Sequence, residues 1–231
     1  MKVLSTLILL VFFLGFSCVS YGQMKLQEIY GLQDKEALEN IISDYEQKLE
    51  QNPNDIKTLK ILGIAMHNLG ISEVKGAPAN SVHYLQKVYE LHPDDYEVLA
   101  YLGSAKTMKA RDSWNVITKV SSVNKGAKLM DRAVSKAPDN LIVRIVRANN
   151  SLSLPEFFKR KHLALKDLLH IERLMKEKEA DFDIKLQTEV FYKIGKYYQE
   201  QGSSKEAVKY FHKAVQSSED SKWGIQAKKE L

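Results

Sequence analysis

Three times the chain writes nearly the same stop: Asn52-Pro53-Asn54-Asp55, Pro93-Asp94-Asp95 and Pro138-Asp139-Asn140. Proline lacks an amide hydrogen and its ring clashes with the preceding turn, so it ends a helix. The carboxylate or carboxamide residues after it can accept hydrogen bonds from the first free N–H groups of the next helix. Each proline is followed six residues later by Leu59, Leu99 or Arg144, and three residues after that by Leu62-Gly63, Leu102-Gly103 or Arg147-Ala148. The second halves of the units are regular too. Ser81, Leu85, Val88 and Pro93 share the spacing of Gly126, Met130, Ala133 and Pro138. A short unit repeated in this way cannot bury its apolar face alone, and stacking on its neighbours buries a continuous core.

Between the stops the apolar spacing is helical, and no stretch alternates apolar and polar residues over a strand length. Leu38, Ile41, Ile42, Tyr45 and Leu49 make one face, behind Asp34 as its N-cap. Leu59, Leu62, Ala65 and Met66 make the next, then Leu85, Val88, Tyr89 and Leu91, then Leu99, Leu102 and Ala105. The last unit carries Phe191, Ile194-Gly195, Tyr198, Ala207, Phe211 and Ala214 in register, with Gly202-Ser203-Ser204 as the turn between its helices. Large apolar residues fill the gap between two helices, and glycine or alanine stands where they approach closely. This pattern resembles the tetratricopeptide-repeat (TPR) signature over roughly residues 35–231. The resemblance implies an all-α, right-handed solenoid of about four helical hairpins.

The units depart from that pattern in their inter-helix loops. Unit one carries extra residues around Val74–Asn80, and unit two a longer segment containing Arg111-Asp112-Ser113-Trp114. Unit three carries a shorter one, around Pro155-Glu156-Phe157-Phe158. Such loops lie on the same edge of a solenoid, so the three insertions should share one rim. Trp114, Ile117, Val120 and Met130 continue one apolar stripe, which predicts that the second insertion lengthens the following helix backwards. The segment from Asp220 to Leu231, with Trp223, Ile225 and Leu231, reads as a capping helix.

The first residues have a different character. Lys2 precedes an apolar run from Val3 to Phe16, and Ser20-Tyr21-Gly22 precedes Gln23. These are the parts of a secretory signal peptide, and the run is short for a membrane span of roughly 20 residues. Residues 1–22 are therefore expected to be removed, leaving one solenoid domain over 23–231 that is periplasmic or secreted. An uncleaved anchor is one alternative. Lipidation at Cys18 is another, although Gly15 stands where a lipobox expects leucine. Cleavage after Gly22 removes the only cysteine, and with it any disulfide, thiolate metal site or cysteine nucleophile. The formal net charge of +5 is mild, and lysine and glutamate are mixed along the segments, as on solvated helix faces. Nucleic acid is not an expected partner, and a membrane is one only through Cys18.

Side chains that could carry chemistry form no constellation. None of the six histidines makes His-Glu-x-x-His or stands beside a second ligand at i+4, so no metal is expected and each reads as an exposed or rim histidine. No phosphate-binding glycine loop or nucleophile elbow occurs, and Gly103 reads as a packing glycine. Neither an enzyme nor a cofactor is expected.

Two features stand out. Arg144 and Arg147 occupy positions where unit three should bury apolar side chains, and an unpaired buried guanidinium is very costly. Either this helix is rotated, with Ile142, Ile145, Val146 and Ala148 facing inward, or the arginines meet acids, Asp131 among them. The alternative is an anion or carboxylate pocket, which arginine's fork suits. The second feature is the aromatic loading of the insertions: Trp114 and Phe157-Phe158, beside Arg111, Lys159 and Arg160. These rings are expected to pack onto their own neighbours, the alternative being a partner-binding rim.

TPR solenoids bind peptides or helices of partner proteins on a concave face lined by the first helix of each unit. Carried over position by position, that face comprises Lys57, Lys60, Ile64 and His67; then Glu97, Ala100, Ser104 and Thr107. It continues with Ile142, Ile145, Asn149 and Leu152, and ends with Glu189, Tyr192, Lys196 and Gln199. Together with the N-terminal export signal, the resemblance implies an exported scaffold or adaptor of a bacterial envelope. A ligand-handling accessory of a transport system, with a pocket at Arg144 and Arg147, is the rival reading.

Overall fold

The computed structural model describes residues 26–112, 114–177 and 183–231. The expected signal peptide and Cys18 lie outside them. Among the described residues the chain is all-helical, with eleven α-helices and two short 3₁₀ turns. The helices are α1 (Leu26–Tyr30), α2 (Lys35–Gln51), α3 (Ile56–Ile71), α4 (Ala77–Leu91), α5 (Tyr96–Lys109) and α6 (Val116–Lys136). They continue as α7 (Leu141–Ser153), α8 (Lys161–Glu177), α9 (Ile184–Glu200), α10 (Ser204–Ser217) and α11 (Lys222–Lys228).

The repeated stop works as chemistry. Asp55, Asp95 and Asn140, the last residue of each motif, cap α3, α5 and α7. Their side-chain oxygens accept from the amides of Thr58 at 2.8 Å, Val98 at 3.0 Å and Val143 at 3.0 Å. Asp34 caps α2 in the same way. Each cap satisfies one of the donors that a helix start leaves open, typically worth about 1 kcal/mol.

The hairpins are α3–α4, α5–α6, α7–α8 and α9–α10, with α2 packed on α3 and α11 closing the last hairpin. Within them the small residues meet as their register requires. The Ser81 hydroxyl donates to the Gly63 carbonyl at 2.7 Å, and Gly195 lies under the ring of Phe211. In α5–α6 glycine faces glycine, Gly103 against Gly126. The second insertion does lengthen its helix: α6 has 21 residues, against 15 in α4 and 14 in α10.

Two apolar clusters fill the solenoid, one under α2–α6 and one under α8–α11, and Ile145 of α7 packs against both. Polar residues concentrate beside α7. This helix is not rotated away from its arginines: Val143, Arg144, Val146, Arg147 and Ala148 are buried, while Ile142 and Ile145 are half-buried. The arginines meet acids instead. Arg144 Nη1 lies 2.8 Å from Asp167 Oδ1, and Arg147 grips both oxygens of Asp167 at 2.7 Å. Asp131 takes Arg147 at 3.1 Å and Arg160 at 2.6 and 3.0 Å. An anion pocket at Arg144 and Arg147 is therefore not what the fold builds, because their forks already face Asp167 and Asp131 of the same chain.

Candidate functional site

The expected concave face is covered in its first unit by α1 and the turn after it, and in its last by α11 and Glu230. In an open solenoid one side of each first helix faces solvent, yet every residue of α3 from Ile61 to Gly70 is buried. Three sides of α3 are taken by α2, α4 and α5, and near Asn68 the remaining cover is α1 with the turn after it. Ile29 is fully buried against the solenoid, and Asn68 Nδ2 donates to the carbonyls of Ile29 at 2.8 Å and Leu32 at 3.1 Å. Tyr30 stacks on Tyr101, with ring centroids 5.9 Å apart, and its hydroxyl donates to Glu97. Glu97 also receives Lys60 Nζ at 3.1 Å and Asn140 Nδ2 at 3.0 Å. Burial alone would raise the Glu97 carboxyl, but these donors hold it below the usual carboxylate range.

His67 is a correction. It is neither exposed nor on a rim: the ring is buried edge-on to Tyr101, 4.8 Å between centroids. Its nitrogens reach Asn68 Oδ1 at 3.2 Å and Ser104 Oγ at 2.9 Å, an arrangement that suits a neutral imidazole donating to the amide and accepting from the hydroxyl. Burial, aided by the Arg111 charge, pushes its pKa down to about 4. The folded chain therefore refuses a proton that an unfolded histidine takes near pH 6.5. This contribution to stability is complete above pH 6.5 and declines as the pH falls from there toward about 4. Proton NMR should find one histidine ring whose shifts stay constant from pH 8 to pH 5; titration of all six near pH 6.5 would contradict its burial.

Several of the other concave candidates are also engaged. Lys57 is exposed, but Lys60 is paired with Asp95 at 2.8 Å. Asn149 accepts from Lys193. Under α11, Tyr192 packs on Trp223 at 5.2 Å, and Lys196 and Gln199 reach Glu230 at 3.1 and 2.9 Å. The two covering segments touch, Lys222 Nζ lying 3.3 Å from Gln33 Oε1.

On the rim, Arg111 donates to the Gly70 carbonyl at 2.6 Å and so ties the second insertion to the helix end that precedes the first. Arg160, after the third insertion, is bound to Asp131 of α6. The expectation that the insertion aromatics pack inward fails for two of the three. Trp114 is 92% exposed and Phe157 is exposed, while Phe158 is half-buried against it, with centroids 4.2 Å apart. Sequence reasoning singled out neither Tyr30, Asn68 nor Asp167. Among the described residues no group of three His, Cys, Asp or Glu side chains could hold a metal ion, and no helix is long and apolar enough to cross a membrane.

No family model and no curated protein sequence matches the chain. Solved structures do. A thermophilic TPR protein of Thermus thermophilus, TTC0263, superposes with a TM-score of 0.61 at 14% identity, over 82% of this chain and 88% of that one. MamA superposes with a TM-score of 0.51 at 20% identity, over 85% of this chain and 96% of its own. Helical hairpins, glycine-mediated contacts within them and these superpositions agree on one architecture: the chain has the TPR-type α-solenoid fold.

Proposed function

We propose that this is an exported, non-catalytic protein-interaction scaffold of the bacterial envelope whose concave face receives a short helical segment of a partner protein. The observation that carries the reading is the way α1 is held. A five-residue helix lies on α3 and α5 with one apolar side chain fully buried, two carbonyls of the helix and its turn taken by Asn68, and a tyrosine hydroxyl taken by Glu97. Apolar anchors in a groove are how helical peptides are recognised generally. The chain's own α1 would then stand in for the partner's segment and compete with it. Export rests on the apolar run after Lys2 and on Ser20-Tyr21-Gly22.

Loosening α1 without touching the groove tests this. Tyr30→Phe removes the hydroxyl bond to Glu97, and Tyr30→Ala removes the stacking as well. From about 1 kcal/mol per hydrogen bond and a similar amount per aromatic pair, capture of a partner from envelope extracts should rise several-fold in Tyr30→Phe and more in Tyr30→Ala. Unchanged or reduced capture by a folded Tyr30→Phe protein would reject the concave-face reading. The same preparation, taken from its envelope fraction, should have Gln23 as its first residue by mass; an acylated Cys18 would make it a lipoprotein instead.

A further inference from the structure

Away from the concave face, the start of α6 carries an apolar tip that the fold leaves bare. Trp114 is 92% exposed, Ile117 82% and Val116 70%. The cause is a mismatch of lengths. The apolar stripe of α6 runs Val116, Val120, Val123, Ala127 and Met130, but its hairpin partner α5 ends at Lys109 and the 3₁₀ turn after it at Asp112. Val123, Ala127 and Met130 are buried against the hairpin, Val120 is half-buried, and the first turn overhangs. The six or seven residues by which α6 exceeds α4 and α10 amount to about 10 Å of helix.

The stretch of sequence that contains this tip also carries the net charge of the chain. Residues 101–130 hold six basic residues, Lys106, Lys109, Arg111, Lys119, Lys125 and Lys128, and one acidic residue, Asp112, so the formal +5 of the chain resides there and the remainder is neutral. Elsewhere some lysines find carboxylates, as at Lys60, Lys161, Lys196 and Lys213. Among the described residues none of these six forms an ion pair: Lys106 turns to the Gln86 amide and Arg111 to backbone carbonyls. The cations also crowd one another. Burial first, then the charges of Lys109 and Lys125, lower the Lys106 pKa.

We propose that this spur is a membrane-docking element, in which Trp114, Val116 and Ile117 enter the interface of an anionic lipid surface and Lys109 and Lys119, at the end of α5 and in the first turn of α6, face the headgroups. Interfacial binding grows with buried apolar area plus attraction to anionic lipid, and basic residues beside an apolar tip supply both. Tryptophan in particular settles at the headgroup level. A protein partner fits less well. A specific interface covers roughly 800 Å² per partner with a polar rim, whereas these three exposed side chains form a small tip with Lys109 and Lys119 near it in the sequence. The spur would hold the scaffold against a membrane while leaving the concave face free, and it does not depend on how that face is used.

The test uses the chain from Gln23 onward, without the apolar leader, and vesicles of phosphatidylglycerol in phosphatidylcholine against pure phosphatidylcholine. The protein should co-sediment with the anionic vesicles only, and high salt should weaken it. Brominated acyl chains should quench the Trp114 emission, a signal isolated by subtracting the Trp114→Ala protein, since Trp223 is the other tryptophan. The double variant Trp114→Ala/Ile117→Ser should lose binding about tenfold or more, and Lys109→Glu/Lys119→Glu by a similar factor. Both variants should melt as the wild type does, because the tip touches little of the fold. Failure to bind anionic vesicles overturns the proposal. So does binding that ignores the Trp114/Ile117 variant, which would be charge adsorption alone, or specific capture of an acidic protein through Trp114 with no lipid binding. Capture of a concave-face partner is measured separately through Tyr30, so either reading can fail without the other.

Discussion

Asp167→Ala is expected to cost about 3–5 kcal/mol of folding stability, the largest effect of any single polar substitution in this chain, because it leaves two buried guanidinium groups facing a void. Asp167 is fully buried and is the only carboxylate that Arg144 touches among the described residues. Arg147 would retain Asp131 alone, whose side chain is 39% exposed. The expected order in urea or thermal melts is wild type, then Asp167→Asn, then Asp167→Ala, since asparagine keeps an acceptor but not the charge. A different substitution separates charge balance from simple shape. Replacing Arg144, Arg147 and Asp167 together by apolar residues of similar volume should recover most of the loss, because a buried ion triad is generally no more stable than a well-packed apolar one. A stability for Asp167→Ala within about 1 kcal/mol of wild type would mean that the arginines reach water or another acid.

The outer half of this cluster adds a pH signature. Burial works against the Asp131 carboxylate, but the guanidinium groups of Arg160 and Arg147 outweigh it and hold its pKa below the ordinary value. Such a group contributes fully above the unfolded carboxyl pKa, about 3.9, and its contribution is lost as the pH falls through the lower folded value. Asp131→Asn should therefore differ most from wild type near neutrality and converge with it in strong acid.

Where helices begin and stop could be read from the chain because the stops are local: proline and the cap three residues upstream of the bonded amide need no tertiary information. The hairpin register was legible for the same reason, in the glycines and alanines at fixed offsets. Asp167 was within reach and was missed. Ala164, Leu168, Ile171 and Met175 mark the buried face of α8, and Asp167 sits on it three residues after Ala164, so an acid there calls for a buried cation. Trp114 could not be placed by periodicity. The stripe of α6 is genuine, but whether its first turn is covered depends on where α5 ends, and that is set by packing across the hairpin. His67 failed for a longer-range reason. The ring is closed in by Tyr101 and Ser104 of the next unit, and Tyr30 of α1, a five-residue helix too short to stand out by periodicity, stacks in turn on Tyr101.

Gly126→Ala is the second substitution expected to be severe, and it tests the closest approach in the fold. In unit one the equivalent contact is Gly63 with Ser81, where a hydroxymethyl group fits and donates to the facing carbonyl. Unit two has glycine on both sides. A Cβ on Gly126 would lie 2.7 Å from Thr107 Cγ2 and 3.1 Å from the Thr107 amide nitrogen, and one on Gly103 would lie 2.6 Å from the Gly126 carbonyl oxygen. Backbone cannot swing aside as a side-chain tip can, so α5 and α6 must separate. Overpacking of this kind costs about 1–3 kcal/mol, against a gain of up to about 1 kcal/mol from the better helix propensity of alanine. A net loss of about 1–2 kcal/mol is expected for Gly126→Ala, and a larger one for Gly126→Ser although serine is native at the matching place in unit one. Gly31→Ala, where an added Cβ meets nothing within 4 Å, is the control and should leave the melt unchanged. If Gly126→Ser were as stable as wild type, the hairpin of unit two would be able to open to the spacing of unit one, and the glycine pair would not be what sets the seat of α6.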